Sequence, residues 1–451
     1  MNRFKLDFSV LKECVQTKLN IRAFSLVFFA VAYFFRRPSD ALYPAVWAED
    51  GLTNIPQALS HQWGSLLMPV NGYLIVPSKF VTLVSMKISG MFYPEVAYCL
   101  TFSITIGVLL LLTSKYFTFK GKSYLPIIIA LLPYDPEIFS TPLYIIWWTS
   151  LLSLIPIFIQ ASSIKEISQL GSLTRTYLVA ILCLSSAILS SPFCIFLFPI
   201  MVFKALISRQ KLDYILLTLW TLLCCYQLRF IISFPDSKAS QSIDLSIIHL
   251  LIPKVFGNFF FYRSFLSEDT IWVYLVFLIF VAIGVLATIK VLVRRDMNLF
   301  PISISFLMVF LAIVAPILRL GFLPDPMTTG PRYFFFPYIF LSLFLISMAA
   351  HTHNLLLKVS CILILVSACT LTWNNHGFSK FYRINDPLDW RAELTACLHS
   401  PEPYELKIHS DGNLANRWSR EYTYEECDKI ANSGILAQVF GLDRSILEEP
   451  K

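Results

Sequence analysis

The chain has 451 residues, of which 56% are hydrophobic and only 14% charged, with a mean hydropathy of +0.65. A soluble domain carries roughly 25% charged residues to cover its surface, so this composition excludes a disordered chain, a collagen-like repeat and an ordinary soluble enzyme, and makes hydrocarbon the main solvent. The net charge of +7 is scattered in short clusters between apolar runs, which is a topology signal and not a nucleic-acid footprint.

Residues 1–21 form a basic arm, with Arg3, Lys5, Lys12 and Lys18 against Asp7 and Glu13, so the positive-inside rule puts the N-terminus in the cytoplasm. No small-residue cleavage site follows the first apolar run, and no cleavable signal is expected. A membrane helix needs about 20 apolar residues. About eleven candidate spans follow, near 22–36, 95–113, 123–134, 141–161, 176–190, 193–207, 212–233, 271–293, 299–319, 333–350 and 355–373. The fold class expected is therefore an all-α polytopic membrane protein, with residues 22–373 as its transmembrane domain. With eleven crossings, the clusters Lys115/Lys120/Lys122, Lys165/Arg175, Lys204/Arg209/Lys211, Lys290/Arg294/Arg295 and Lys358 all fall in cytoplasmic turns. A further full span through 72–92 would move the Lys115 cluster outside, so that stretch, with Lys79 and Lys87, reads as a helix lying at the outer interface.

Three outer elements are large: a first loop at 37–94, a loop at 234–270 and a more polar tail at 374–451. The tail holds Trp390, Trp418 and alternating charged and apolar residues, which suits a small mixed or α/β external domain packed on the outer loops. Of ten cysteines, only Cys397 and Cys427 lie in the tail, where an oxidising compartment would allow a disulfide.

The polar residues of the outer loops are the candidate site. Trp47-Ala48-Glu49-Asp50-Gly51 places adjacent carboxylates above the first span, before a glycine that allows close approach of a backbone or ligand. Glu49 or Asp50 either serves as a base or caps a helix through 52–61. Asn71-Gly72-Tyr73-Leu74 follows. Pro133-Tyr134-Asp135-Pro136-Glu137 brings Asp135 and Glu137 to the same outer face and returns through Trp147-Trp148, a flat apolar surface that stacks on sugar rings or serves as an interfacial belt. Asp135 is alternatively a turn residue before proline. In Gly330-Pro331-Arg332-Tyr333 the guanidinium of Arg332 has no nearby acid except Asp325, so it either binds an anionic group such as a lipid phosphate or snorkels to the headgroups. No HExxH, Walker A or GxGxxG pattern occurs, which argues against a zinc protease, an ATPase or a nucleotide-binding enzyme.

Taken together, these motifs resemble polytopic glycosyltransferases of the GT-C superfamily, and within it the bacterial O-antigen glucosylating, serotype-converting membrane proteins. The resemblance implies an inverting transferase of the bacterial inner membrane with its C-terminus in the periplasm. It moves a sugar, glucose by analogy, from a polyprenyl-phosphate carrier to a periplasmic glycan such as O-antigen of lipopolysaccharide. Asp50 then becomes the general base, with Glu49 as its partner or as the base itself. Arg332 and Tyr333 would hold the donor phosphate, and Trp47, Asn71, Tyr73, Asp135, Glu137 and Trp147 would contact substrate. The resemblance demands no cofactor and leaves a divalent metal open, with no ligand set assigned. A lipid-linked glycan flippase or exporter would carry charges deep in several spans and often a repeated half, neither evident here. An O-antigen polymerase or ligase would depend more on outer-loop arginines than on a first-loop acidic pair.

Overall fold

The computed structural model describes residues 18–134, 136–139, 141–159, 170–234, 252–261, 271–320, 331–375, 388–408 and 418–440, and they are predominantly helical. The N-terminal helix α1 is Lys18–Arg36, and α2 (Ile55–His61), α3 (Val76–Ile88), α4 (Tyr93–Leu112) and α5 (Leu125–Leu131) follow. Among the described residues, five helices are long and apolar enough to cross a membrane: Tyr93–Leu112, Lys211–Ser233, Ile271–Arg294, Phe300–Leu318 and Arg332–His351. A sixth is reached if Thr174–Ile188 and Phe193–Ser208, which meet at 117°, count as one broken span. Their outward faces are apolar: Leu222, Leu278, Val293 and Leu318 are all exposed. Such faces are stable against hydrocarbon and costly against water, as in a membrane-embedded all-α protein.

The sequence leads to about eleven crossings, and each of those segments holds helix, but several are short or broken. Helices at 122–131, 142–158 and 355–370 fall below the length of a straight span. The reason is local in the second of these. Pro142 starts it and Pro156 lies inside it, where the missing N–H interrupts the bonding, and Thr149, Ser150 and Ser153 turn their hydroxyls back onto the carbonyls of Ile145, Ile146 and Ser150. What remains is α6 (Ile145–Ser150) and α7 (Leu154–Phe158), joined by a tighter turn. Trp148 of α6 is fully buried at the centre of the main core, edge-on to Phe29, Phe139 and Phe335 at 5.2–5.5 Å.

Helix α3 is the stretch expected at the outer interface. It packs beside α4, sharing a core through Val81, Met86, Tyr93 and Ala97. Lys79 does not face outward. It is 1% exposed, and its ammonium holds Gln57 and the carbonyls of Ser65 and Met68, which replace its water.

In the tail, α8 (Trp390–His399) precedes an antiparallel pair, β1 (Tyr404–Ile408) and β2 (Trp418–Tyr422), then α9 (Tyr424–Ala431) and a last short helix, Ile435–Phe440. Thr423 and Glu426 form a reciprocal cap at the start of α9. This unit packs on the first loop: Trp390, Leu394, Leu406, Ile408, Tyr422 and Ile430 share one core with Val46, Ile55 and Tyr93. At Gly90 the contact is backbone to backbone. A Cβ there would lie 1.9 Å from the Ile430 carbonyl oxygen, while Gly90 donates to the Ser433 carbonyl and accepts from the Trp390 indole.

Cys397 and Cys427 are joined in a disulfide that ties α8 to α9. Closing a loop of this size is worth about 3–4 kcal/mol in the chain-entropy account. Cys397→Ser is expected to migrate more slowly than the parent on a non-reducing gel, the two converging after reduction. Equal mobility without reductant would show that the bond does not form.

Candidate functional site

The site is assembled from the end of α1. Arg36 and Arg37 are each 2% exposed. Beyond α5 the chain carries Pro133 and Pro136, which cannot continue a helix and leave carbonyls unpaired. Arg36 supplies the missing donors, to Ala130 at 3.3 Å, Leu132 at 3.2 Å and Tyr134 at 2.5 Å. Arg37 donates to the carbonyls of Glu137 at 3.2 Å and Phe139 at 3.5 Å, and pairs with Asp40 at 2.7 Å. Its guanidinium also lies 5.3 Å above the Trp47 ring.

The segment so fixed presents Glu137, itself 6% exposed. Its carboxylate accepts from the Tyr144 hydroxyl and pairs with Arg332, whose Nη1 is 3.3 Å from both carboxylate oxygens and 2.7 Å from the Tyr144 oxygen. Arg332 keeps 35% of its side chain exposed and lies over the rings of Tyr144 and Tyr333 at 5.5 and 5.6 Å. Trp147, half-buried, meets Tyr333 edge-on at 5.7 Å and borders a small apolar cluster of Trp47, Tyr73, Val70, Ile75 and Tyr144.

The adjacent acids of the first loop face different surroundings. Ala48, between Trp47 and Glu49, is held at φ +30°, a strained value for a residue with a side chain. Glu49 is half-buried, and its carboxyl is pushed up chiefly by burial, with the Arg332 charge opposing and the Glu137 charge adding to that rise. Asp50 is fully buried. Its Oδ1 accepts from Asn54 at 2.8 Å, Asn54 donates also to Ser78, and Oδ2 has no hydrogen-bond partner. Burial raises its carboxyl to about 7, with Asn54 opposing and Glu49 adding to the shift. Behind it, the Tyr422 hydroxyl donates to the Gly51 carbonyl at 2.6 Å and Arg420 to that of Leu52 at 2.9 Å. A Cβ on Gly51 would lie 2.5 Å from Ile408 Cδ1, so the close approach at this glycine is made by the tail and not by a ligand.

Several expectations are thereby corrected. Neither Glu49 nor Asp50 caps the following helix through its side chain: Asp50 opens a wider π-helical turn over Asp50–Asn54, without a side-chain cap bond. Asp50 is fully buried, so of the two acids it is Glu49 that keeps access to solvent and feels the Arg332 charge. Arg332 has an acid partner after all, Glu137, which is 195 residues distant in sequence and invisible to local reading. Glu137 is engaged by Arg332 and Tyr144 through its carboxylate and by Arg37 through its backbone carbonyl. Trp47 is 2% exposed and covered by Arg37, leaving Trp147 as the aromatic surface near the arginine. Asn71 is exposed at φ +50° in the Val70–Tyr73 turn, where a left-handed residue is required. Asp135 lies outside the described residues.

The sequence reading missed Arg36, Arg37, Tyr144 and Asn54. The two arginines carried a signal: on the expected topology they sit at the outer end of the first span, against the positive-inside bias, and so require a buried reason. Beside the aromatic cluster, a largely apolar groove of about 480 Å³ opens between α3, α4, α6 and the helix Leu170–Ile188, lined by Val76, Phe80, Ile104, Gly107, Thr149 and Leu182. Among the described residues no group of three His, Cys, Asp or Glu side chains is arranged to hold a metal. No family model, curated protein or solved structure matches the chain.

The buried Asp50 makes stability depend on pH in a defined sense. Its proton is held in the folded state up to about pH 7 but released near the ordinary 3.8 when unfolded. The folded state therefore binds more protons between these values, and stability, fullest below about pH 4, is lost as pH rises through 7. Asp50→Asn keeps the contact with Asn54 by amide reorientation and removes the titration. Thermal unfolding from pH 5 to 8 should show a shallower decline in the variant, and parallel curves would show that Asp50 does not titrate in this window.

Proposed function

We propose that the protein is an inverting glycosyltransferase of the bacterial inner membrane, moving a sugar from a polyprenyl-phosphate carrier to a periplasmic glycan acceptor. The observation that carries this reading is the Arg332–Glu137–Tyr144 cluster beside Trp147 and Tyr333, a partly exposed guanidinium whose charge reaches the half-buried Glu49 of the first loop. A sugar hydroxyl is a poor nucleophile, and a carboxylate that takes its proton in the transition state contributes ~10²–10⁴-fold. The acceptor oxygen attacks the anomeric carbon as the bond to the phosphate oxygen breaks. The proton passes to Glu49, and the growing charge on the leaving phosphate is met by the guanidinium.

The surroundings support these roles. Glu137 and Tyr144 converge on Nη1 of Arg332, which fixes the guanidinium plane and leaves its other edge to meet a phosphate oxygen. Tyr333, with Arg332 over its ring, and the half-buried Trp147 beside it are the aromatic groups a sugar ring would meet here. The groove beside α4 has the apolar walls that an isoprenoid chain needs. Asp50 acts behind Glu49, holding the first-loop turn in place.

The test supplies membranes holding the protein with polyprenyl-phosphate-linked hexoses and a lipopolysaccharide acceptor, and reads hexose addition by mass spectrometry. Glu49→Gln is expected to lose about 10²–10⁴-fold in rate with normal membrane insertion, and more than Asp50→Asn loses. Activity of the parent should rise with pH as Glu49 deprotonates, from a midpoint above the ordinary carboxylate range. Full activity in Glu49→Gln would remove the base and with it this reading. Arg332→Lys, which exchanges a planar donor for a point charge, should weaken donor use more than acceptor use.

A further inference from the structure

The run from α2 to Met68 has one side fixed and one side uncovered. The fixed side is held by Lys79, which takes the carbonyls of Ser65 at 3.0 Å and Met68 at 2.5 Å, and by Lys87, which donates to the Gln62 side chain at 2.9 Å. On the other side Trp63 is 54% and Leu67 is 55% exposed, on a turn over Gln62–Leu67 that these two lysines make rigid. A solvated loop tip normally carries small polar residues. A tryptophan and a leucine held outward by buried bonds need another medium.

Two observations say which. Phe80 and Lys87 are seven residues apart and share one face of α3. Phe80, 41% exposed, lines the apolar groove together with Ile104 and Gly107 of α4, a helix long and apolar enough to cross a membrane. The Gln62–Lys87 bond therefore sets the Trp63 turn on the flank where α3 and α4 show apolar side chains outward. Charge agrees: no acid occurs in residues 51–94, and the exposed ionisable side chains closest to the turn in sequence or by contact are His61 and Lys87.

We propose that the turn over Gln62–Leu67 is a membrane wedge, with Trp63 and Leu67 seated at the acyl boundary of the bilayer and Lys87 at the headgroup phosphates. Tryptophan suits this depth because its ring is apolar and its N–H remains near water. The wedge would fix the height of the loop that carries Glu49, and the inference stands whether or not that loop transfers sugar.

The experiment places the full chain in nanodiscs of phosphatidylcholine and phosphatidylglycerol, with and without bromine on carbons of the acyl chain near the headgroup. The emission of Trp63 is taken as the difference between the parent and Trp63→Phe. Loss of most of that difference signal with brominated lipid, and little loss with aqueous iodide, is the result expected. Quenching by iodide alone would put the turn in water, and quenching by neither would mean that protein covers it; either overturns the wedge. A second variant, Trp63→Phe with Leu67→Trp, should restore a bromine-sensitive signal, and its failure to do so in a folded protein also counts against the proposal.

Discussion

Two consecutive guanidiniums at the end of the first helix hold together a stretch of chain that cannot hold itself. The described residues from 130 to 139 are interrupted by Pro133 and Pro136 and lie deep among aromatic side chains, where several carbonyls lack the donors of a continuous helix. Five of them are bonded by Arg36 and Arg37. An unpaired carbonyl in such surroundings costs several kcal/mol, so the two arginines make this irregular backbone possible. They carry a large desolvation cost of their own, which the carbonyl dipoles, Asp40 and the Tyr134, Phe139 and Trp47 rings offset.

The geometry of the site descends from that anchorage. Arg37 holds the backbone of Glu137, Glu137 and Tyr144 hold Arg332, and Arg332 supplies the positive charge felt by Glu49. Glu137 is buried and Arg332 is its ion-pair partner, so removing Arg332 leaves that carboxylate buried without its counterpart. That is more damaging than losing the pair together. The half-exposed end is Arg332, and it is there that an outside anion would find a guanidinium already oriented.

What could be read from the sequence follows the range of the interactions. Apolar periods and lysine clusters are local, and they marked where the helices lie. They could not tell a straight crossing from a helix broken by proline and by hydroxyls turned back onto the backbone, as at Thr149 to Ser153, because both are equally apolar. The acidic pair and Arg332 were visible as charges out of place. Their pairing was not, because Glu137 and Arg332 meet only after most of the chain has folded between them. The same limit left the choice between Glu49 and Asp50 open: neighbouring acids are equivalent in a string of letters, and only the folded chain shows that Asp50 is fully buried and Glu49 half-buried. Cys397 and Cys427 were legible because they were the only two cysteines in the polar tail.

The tail gives this division its physical form. Tyr422 and Arg420 bond the carbonyls of Gly51 and Leu52, while Ile408 fills the space that a side chain at position 51 would need. These contacts fix the backbone just after Asp50, whose fully buried carboxyl is favoured in its neutral form. Glu49, half-buried, feels the Arg332 charge and keeps partial access to solvent. A neutral acid and an ionisable one are thus produced from adjacent residues by burial on one side and charge on the other. This arrangement avoids two like charges repelling each other across one peptide unit. The disulfide-linked tail takes part in the packing of this loop, because the bonds to the Gly51 and Leu52 carbonyls and the side chain set against Gly51 come from its β-strands.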